Sequence, residues 1–185
     1  MRRIDYTVDL PQPACWYHYL HRKERDLMSH AELIERYLKG CDVLADAVSN
    51  VNPAILDKVP APGKWTIREY TTHIFDAEIV SAARLRAMLA QPGADLMGFD
   101  QERWTAALHY EKQPVEDTLA AFRGLRRMTA NMLRAATAEA WNNKGIHPKR
   151  GEMSVQALVE ILAGHCENHA RTIRELRERF GAAKG

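Results

Sequence analysis

Four stretches of this chain place apolar residues three and four positions apart, and that beat leaves little room for any fold but a helical one. The clearest is the last. Val155, Leu158, Leu162, Ile173, Leu176 and Phe180 keep one face from near Ser154 to about Phe180, and Gly181 then suits a helix end. The first stretch opens on a capping box, Ser29 with Glu32, and runs through Ile34, Leu38, Cys41, Leu44, Ala45 and Val48 to about Asn50. A second box, Thr66 with Glu69, opens the next: Ile67, Tyr70, Ile74, Ala77, Leu85 and Met88, stopping before Gln91-Pro-Gly93. The third begins near Pro114, a residue favoured in a first helical turn, and carries Val115, Leu119, Phe122, Leu125, Met132, Leu133 and Ala136. A short helix is expected over Gln101–Leu108 within the connection that precedes it. Strand signal is almost absent. The expectation is an all-α four-helix bundle. The connection of about twenty residues between the second and third helices permits a crossover and a parallel pair.

Residues 1–28 read differently. Pro11, Pro13, the aromatics Trp16, Tyr17 and Tyr19, and the run Arg22–Asp26 show no long helical beat. They suggest an irregular N-terminal arm ahead of a single domain over 29–182, with Met28 an alternative start. His18 and His21 read as ordinary surface histidines.

The 185 residues suffice to bury a substantial core, and 46% hydrophobic with 27% charged is ordinary globular composition. A net charge of +2 gives no case for nucleic acid. The arginines, among them Arg84, Arg86, Arg123, Arg126, Arg127 and Arg171, read as solvated helix faces, with pairs such as Glu167–Arg171 and Glu175–Arg179. Cys15, Cys41 and Cys166 are odd in number and far apart, which fits a reducing compartment. No apolar run approaches the roughly 20 residues that span a bilayer. Arg2 and Arg3 are followed by Asp5 rather than by a signal-peptide core, so the cytoplasm is the expected location.

Within the last helix, His165 and His169 stand four apart on the apolar beat. Residues i and i+4 project from one face, so two imidazoles there can reach one metal ion. Hydrogen bonds to carbonyls or carboxylates are the other way to satisfy them. His73, on the edge of the second helix's stripe, completes a set of three if those two helices are neighbours. Three imidazoles with an open fourth position are an established way to hold catalytic zinc, while nickel, iron or manganese accept the same ligands. A di-iron site is disfavoured, because no Glu lies three residues before any of the three histidines. Asp76, three after His73, is placed to orient that ring, and Glu78, turned about 140° away, is a weaker candidate base. His147 and Asp100 are loop residues, Asp100 suited to capping the short helix. Cys166 points about 100° from His165 and reads as packing.

The string Pro62–Glu78, the run Met97–Trp104 and the close Ser154–His169 together resemble the DinB/YfiT-like family, in order and spacing over about residues 29–180. The resemblance implies an up-down-down-up four-helix bundle with a three-histidine metal site, whose ligands carry over to His73, His165 and His169. Many relatives have His-His where this chain has Asn168-His169, a departure at a position that is not an expected ligand. Family activities include thiol-dependent transferases using bacillithiol or mycothiol, a maleylpyruvate isomerase and metal-dependent hydrolases, and homodimers are frequent.

The expectation that follows is a metal-dependent enzyme. A divalent ion, zinc or nickel first, with iron or manganese also compatible, activates a low-molecular-weight thiol or a water against a small-molecule substrate. The alternative is a non-catalytic metal or small-ligand binding module acting as a dimer. A bundle whose histidines only make hydrogen bonds is the third reading.

Overall fold

The computed structural model describes residues 28–181. The expectations for residues 1–27, including His18, His21 and Cys15, lie outside the described residues. The four long helices are α1 (His30–Val48), α3 (Ile67–Ala90), α5 (Val115–Ala135) and α6 (Val155–Gly181). Both capping boxes form. Ser29 Oγ accepts from Glu32 N–H while the Glu32 carboxylate accepts from Ser29, and Thr66 and Glu69 do the same. Pro114 occupies the N-cap of α5 rather than its first turn. The short α4 (Gln101–Ala107) has Asp100 as its cap, accepting from Arg103 N–H at 3.1 Å.

Besides the short 3₁₀ turns Tyr110–Lys112 and Glu139–Asn142, a helical turn and a hairpin have no counterpart in the sequence reading. The proline-bearing linker folds a single turn, α2 (Pro53–Leu56), capped by Asn52. The polar connection before α6 forms a hairpin, β1 (Lys144–His147) against β2 (Gly151–Ser154), antiparallel with Gly145 opposite Met153. Only Ile146 in it is β-branched, so local preference is weak. Tertiary contact supplies the reason instead. Gly145 lies so close to α3 and its following loop that a Cβ there would sit 2.8 Å from Met88 and 2.7 Å from Leu96.

In the bundle, α1 packs on α5 and α6, and α3 packs on the same two. The apolar core falls into two halves. One holds Leu33, Tyr37, Leu85, Met88, Leu133, Trp141 and Leu158. The other holds Leu44, Ile67, Ile74, Phe122, Ile173 and Phe180. Between them lies a polar layer centred on Arg126, which is 1% exposed. This corrects the reading of Arg126 as a solvated residue. Its guanidinium donates to the Glu78 carboxylate at 2.9 Å, to the Leu162 carbonyl at 3.1 Å and to the Tyr37 carbonyl. The Tyr37 hydroxyl donates to the other oxygen of Glu78. Burial opposes the Arg126 charge, yet Glu78, Cys166 and Tyr37 together hold its pKa above the ordinary value. Gly40 makes room for it, since a Cβ there would fall on the guanidinium.

Arg84 is likewise buried, contrary to the same expectation. The surface pairing also differs. Glu167 takes a two-pronged bond from Arg36 across the α1–α6 seam, at 2.8 and 2.6 Å, rather than pairing along its own helix with Arg171. Arg171 bonds Asn168. Among the described residues, no helix is long and apolar enough to cross a membrane.

Candidate metal centre

His73 projects from the second turn of α3, seven residues after the Thr66 cap, and His165 and His169 from the middle of α6. The packing of α3 on α6 brings the three rings together. His73 Nε2 lies 3.1 Å from His165 Nε2, and His169 Nε2 lies 3.0 Å from the same atom. One ring nitrogen of each residue falls within 4.8 Å of the others. The rings stand nearly perpendicular, His165 to His169 at 88° and His73 to His169 at 89°. The relative burial differs from expectation: His73, read as the least inward, is 2% exposed, while His165 and His169 are only half-buried on the rim.

Aromatic rings hold the set in place. Trp65 packs on His73 at 4.6 Å between centroids, and Phe99 stacks on it nearly parallel at 5.8 Å. Tyr70 lies 5.3 Å from His169. Spacing marked none of these three as part of a site. Trp65 and Phe99 stand in the strings that carried the family resemblance, and nothing in their own periodicity marks them.

Electrostatics keep the imidazoles neutral. Burial, with His169 nearby, lowers the pKa of His73 to about 3, and burial lowers that of His169 to about 4. His165 is pushed well down by burial first, then by His169, His73, Arg126 and Arg150. Neutral imidazole offers a lone pair, which is the form that binds metal.

The nitrogens fit a cation better than they fit each other. A neutral ring nitrogen is either a donor or an acceptor. His165 Nε2 faces two further Nε2 atoms and has one proton or one lone pair to offer them, so mutual hydrogen bonding leaves a partner poorly served. At zinc–nitrogen bonds of about 2.0–2.1 Å, two ligands sit about 2.8–3.0 Å apart at a right angle and about 3.3–3.4 Å at the tetrahedral angle. The 3.0 and 3.1 Å separations lie between these limits.

The expected carboxylate support is not formed. His73 Nδ1 is buried with no hydrogen-bond partner, so Asp76 does not hold it. One turn on, the Asp76 side chain lies instead beside the Tyr110 hydroxyl, on the short 3₁₀ turn Tyr110–Lys112, with its pKa raised by burial. Glu78 is committed to Arg126 and Tyr37 on the far side of α3. His147 lies on β1 and is not in the cluster. Cys166 is packing, as read, its thiol donating to the Gly40 carbonyl at 3.3 Å.

Known proteins share this chain's fold and part of its sequence. A protein of Oceanobacillus iheyensis named "Putative metal-dependent hydrolase" is 30% identical over 149 residues, covering 80% of this chain and 84% of its own length. A Bacillus mycoides protein of the same name is 26% identical over 153 residues, covering 80% of this chain and 88% of its own. Among solved structures, YfiT from Bacillus subtilis, described as a probable metal-dependent hydrolase with an unusual four-helix bundle topology, superposes with a TM-score of 0.79 at 21% identity, over 86% of this chain and 94% of that one. The four-helix bundle protein TT2238 gives a TM-score of 0.58 at 19% identity, over 80% of this chain and 99% of its own. The DinB superfamily profile matches residues 37–173. With a bundle of this topology and a relative of that similarity, the chain belongs to the DinB superfamily.

Proposed function

We propose that this protein is a metal-dependent enzyme acting on a small molecule, with His73, His165 and His169 as the ligands of a single divalent cation. The observation that carries the reading is the meeting of three neutral Nε2 atoms at 3.0 and 3.1 Å. Zinc suits an all-nitrogen set of three, nickel is the next choice, and iron or manganese are compatible. A cation held there supplies Lewis acidity, enough to activate a water for hydrolysis or a low-molecular-weight thiol for S-transfer.

The chain's own residues supply the rest. The two histidines of α6 and the one of α3 fix the direction of approach, because their rings are perpendicular and clamped by Trp65, Tyr70 and Phe99. Those aromatics also keep water from the buried edge of His73. The names of the relatives support hydrolysis. The absence of a carboxylate against the rings, among the described residues, supports a thiol nucleophile, which needs no base once ionised. The same absence favours the alternative, a non-catalytic binding module. A homodimer in the cytoplasm belongs to the reading as well.

Elemental analysis of protein purified without a nickel column tests the ligand set. About one equivalent of metal in the wild type and little in His165→Ala is expected. Equal content in the two would overturn it. Turnover of ester, amide and thiol-acceptor panels by metal-loaded protein, lost in His165→Ala, separates enzyme from binder.

A further inference from the structure

The buried arginine that has no acid is Arg84. It is 8% exposed on α3, and its guanidinium gives two N–H groups to one acceptor, the Met97 carbonyl, at 3.0 and 2.7 Å. Among the described residues it has no carboxylate partner, unlike Arg126 with Glu78. Burial and then the charge of Arg150 pull its pKa down. A buried charge normally has a counter-charge, because desolvation costs several kcal/mol. Here a second arginine has been placed near the first.

Beside these cations, whose charges reach His147 in its wall, lies a cavity of about 680 Å³ between α4 and the β1–β2 turn. Phe99, Trp104, Leu108 and Pro148 give it an apolar wall, half of it aromatic, and Arg103, His147 and Lys149 line its polar side. His147 Nδ1 accepts the Lys149 backbone N–H at 3.1 Å, so its proton sits on Nε2 as a donor. That ring is neutral, its pKa lowered to about 4 by burial, then by Arg84, Arg150 and Lys149. Asp100 is the one carboxylate lining the cavity, and it is engaged in capping α4. One wall residue links the cavity to the histidine cluster. Phe99, part of its wall, stacks on His73, and the charge of Arg150 reaches His165 as well as His147.

We propose that this cavity is a second subsite, taking an oxyanion, carboxylate or phosphate, borne by a planar apolar part of the substrate, with Lys149 and His147 in its wall as polar partners and the charges of Arg84 and Arg150 behind them. The oxyanion brings negative charge to a wall backed by Arg84, which has no acid of its own, and Phe99 and Trp104 (4.9 Å apart, edge to face) flank the apolar part. The reacting bond then lies toward the histidines. This last point alone rests on the metal-enzyme reading.

Calorimetric titration of the full chain with hippurate, its uncharged amide hippuramide, and phenyl phosphate tests the subsite. Hippurate should bind about 10- to 100-fold more tightly than hippuramide, the range expected for charge-assisted hydrogen bonds. The preference should vanish in the Lys149→Gln/Arg150→Gln double variant, whose changes lie on the exposed turn. Whichever of hippurate and phenyl phosphate binds more tightly identifies the oxyanion. Chelated protein and His165→Ala should keep the preference, so a failed metal centre leaves this result standing. Arg84→Met, checked as folded by circular dichroism, should reduce the preference by removing a charge that reaches the cavity wall. Equal binding of hippurate and hippuramide by the wild type, or a preference that survives the double variant, overturns the proposal.

Discussion

Two polar clusters are built into the bundle, one shared by all four long helices and one by α3 and α6, and they are satisfied in opposite ways. In the Arg126 layer, the arginine reaches one carboxylate and two carbonyls, and the carboxylate takes a second bond from Tyr37. A few residues along the same helices, three imidazoles turn their nitrogens on one another with too few protons to go round. A buried group whose partners are complete is part of the scaffold; one whose partners are missing is waiting for something from outside. The two clusters share α3 and α6, and His73 is as buried as Arg126, so donor and acceptor count sets them apart more than depth does.

Glu78→Ala should therefore have the largest effect on stability. It leaves the Arg126 charge buried without its counter-charge, which costs about 3–5 kcal/mol. Urea denaturation of chelated protein measures this. A loss below about 1 kcal/mol would place the Arg126 layer with the histidines rather than against them. In the same chelated state, His165→Ala should cost little, because the nitrogen removed has no complete hydrogen bond to lose.

Metal binding should have the next largest effect, and it acts on the other cluster. Free zinc at a hundred times its dissociation constant should stabilise the wild type by about 2.7 kcal/mol. His165→Ala should show almost none of that gain. Thermal unfolding with and without chelator reads both. A gain of equal size in the variant would move the binding site elsewhere.

Gly40→Ala tests the layer from its packing side. The added methyl meets the Arg126 guanidinium and lies 3.2 Å from Cys166 Sγ, so overpacking should cost about 1–3 kcal/mol. Metal stoichiometry should stay at the wild-type value, since Gly40 touches no histidine of the cluster. A variant that folds with full stability would show that the layer yields more easily than its hydrogen bonds suggest.

How far each cluster could be read from sequence follows the same division. The histidines were legible, because i, i+4 spacing on an apolar beat is a local signal and His73 stood on the edge of a second helical stripe, a set that the family motifs also implied. The helices were legible because their caps, Ser29–Glu32 and Thr66–Glu69, are written within four residues. Arg126 and Arg84 were not. An arginine on a helix is ordinarily solvated, and only the burial that packing imposes distinguishes these two from Arg123, which also meets an acid on α1, or from Arg127. Asp76 was placed near His73 by spacing alone, and the structure turns it to Tyr110, because one helical turn is enough to reach a different neighbour. The hairpin at Lys144–Ser154 was hidden for a similar reason: Gly145 is there for Met88 and Leu96, which sequence distance conceals.

The smallest expected effect gives the sharpest contrast between scaffold and site. Thr66→Ala removes one half of the box that starts α3, where Thr66 Oγ1 accepts from Glu69 N–H at 3.2 Å, and should cost about 1 kcal/mol. Ser29→Ala removes the matching half on α1, where the same bond is 3.3 Å, and should cost a similar amount. The two helices differ in cargo. The first turn of α3 leads directly to His73, and Trp65, next to the cap, packs on that ring. The helix α1 carries no member of the cluster. Fraying at Thr66 should therefore weaken zinc affinity several-fold as well as stability, while fraying at Ser29 should lower stability alone. Competition titration against a chromophoric chelator, run on both variants, measures the affinity. Equal weakening in the two would mean that zinc affinity follows global stability rather than the local placement of His73.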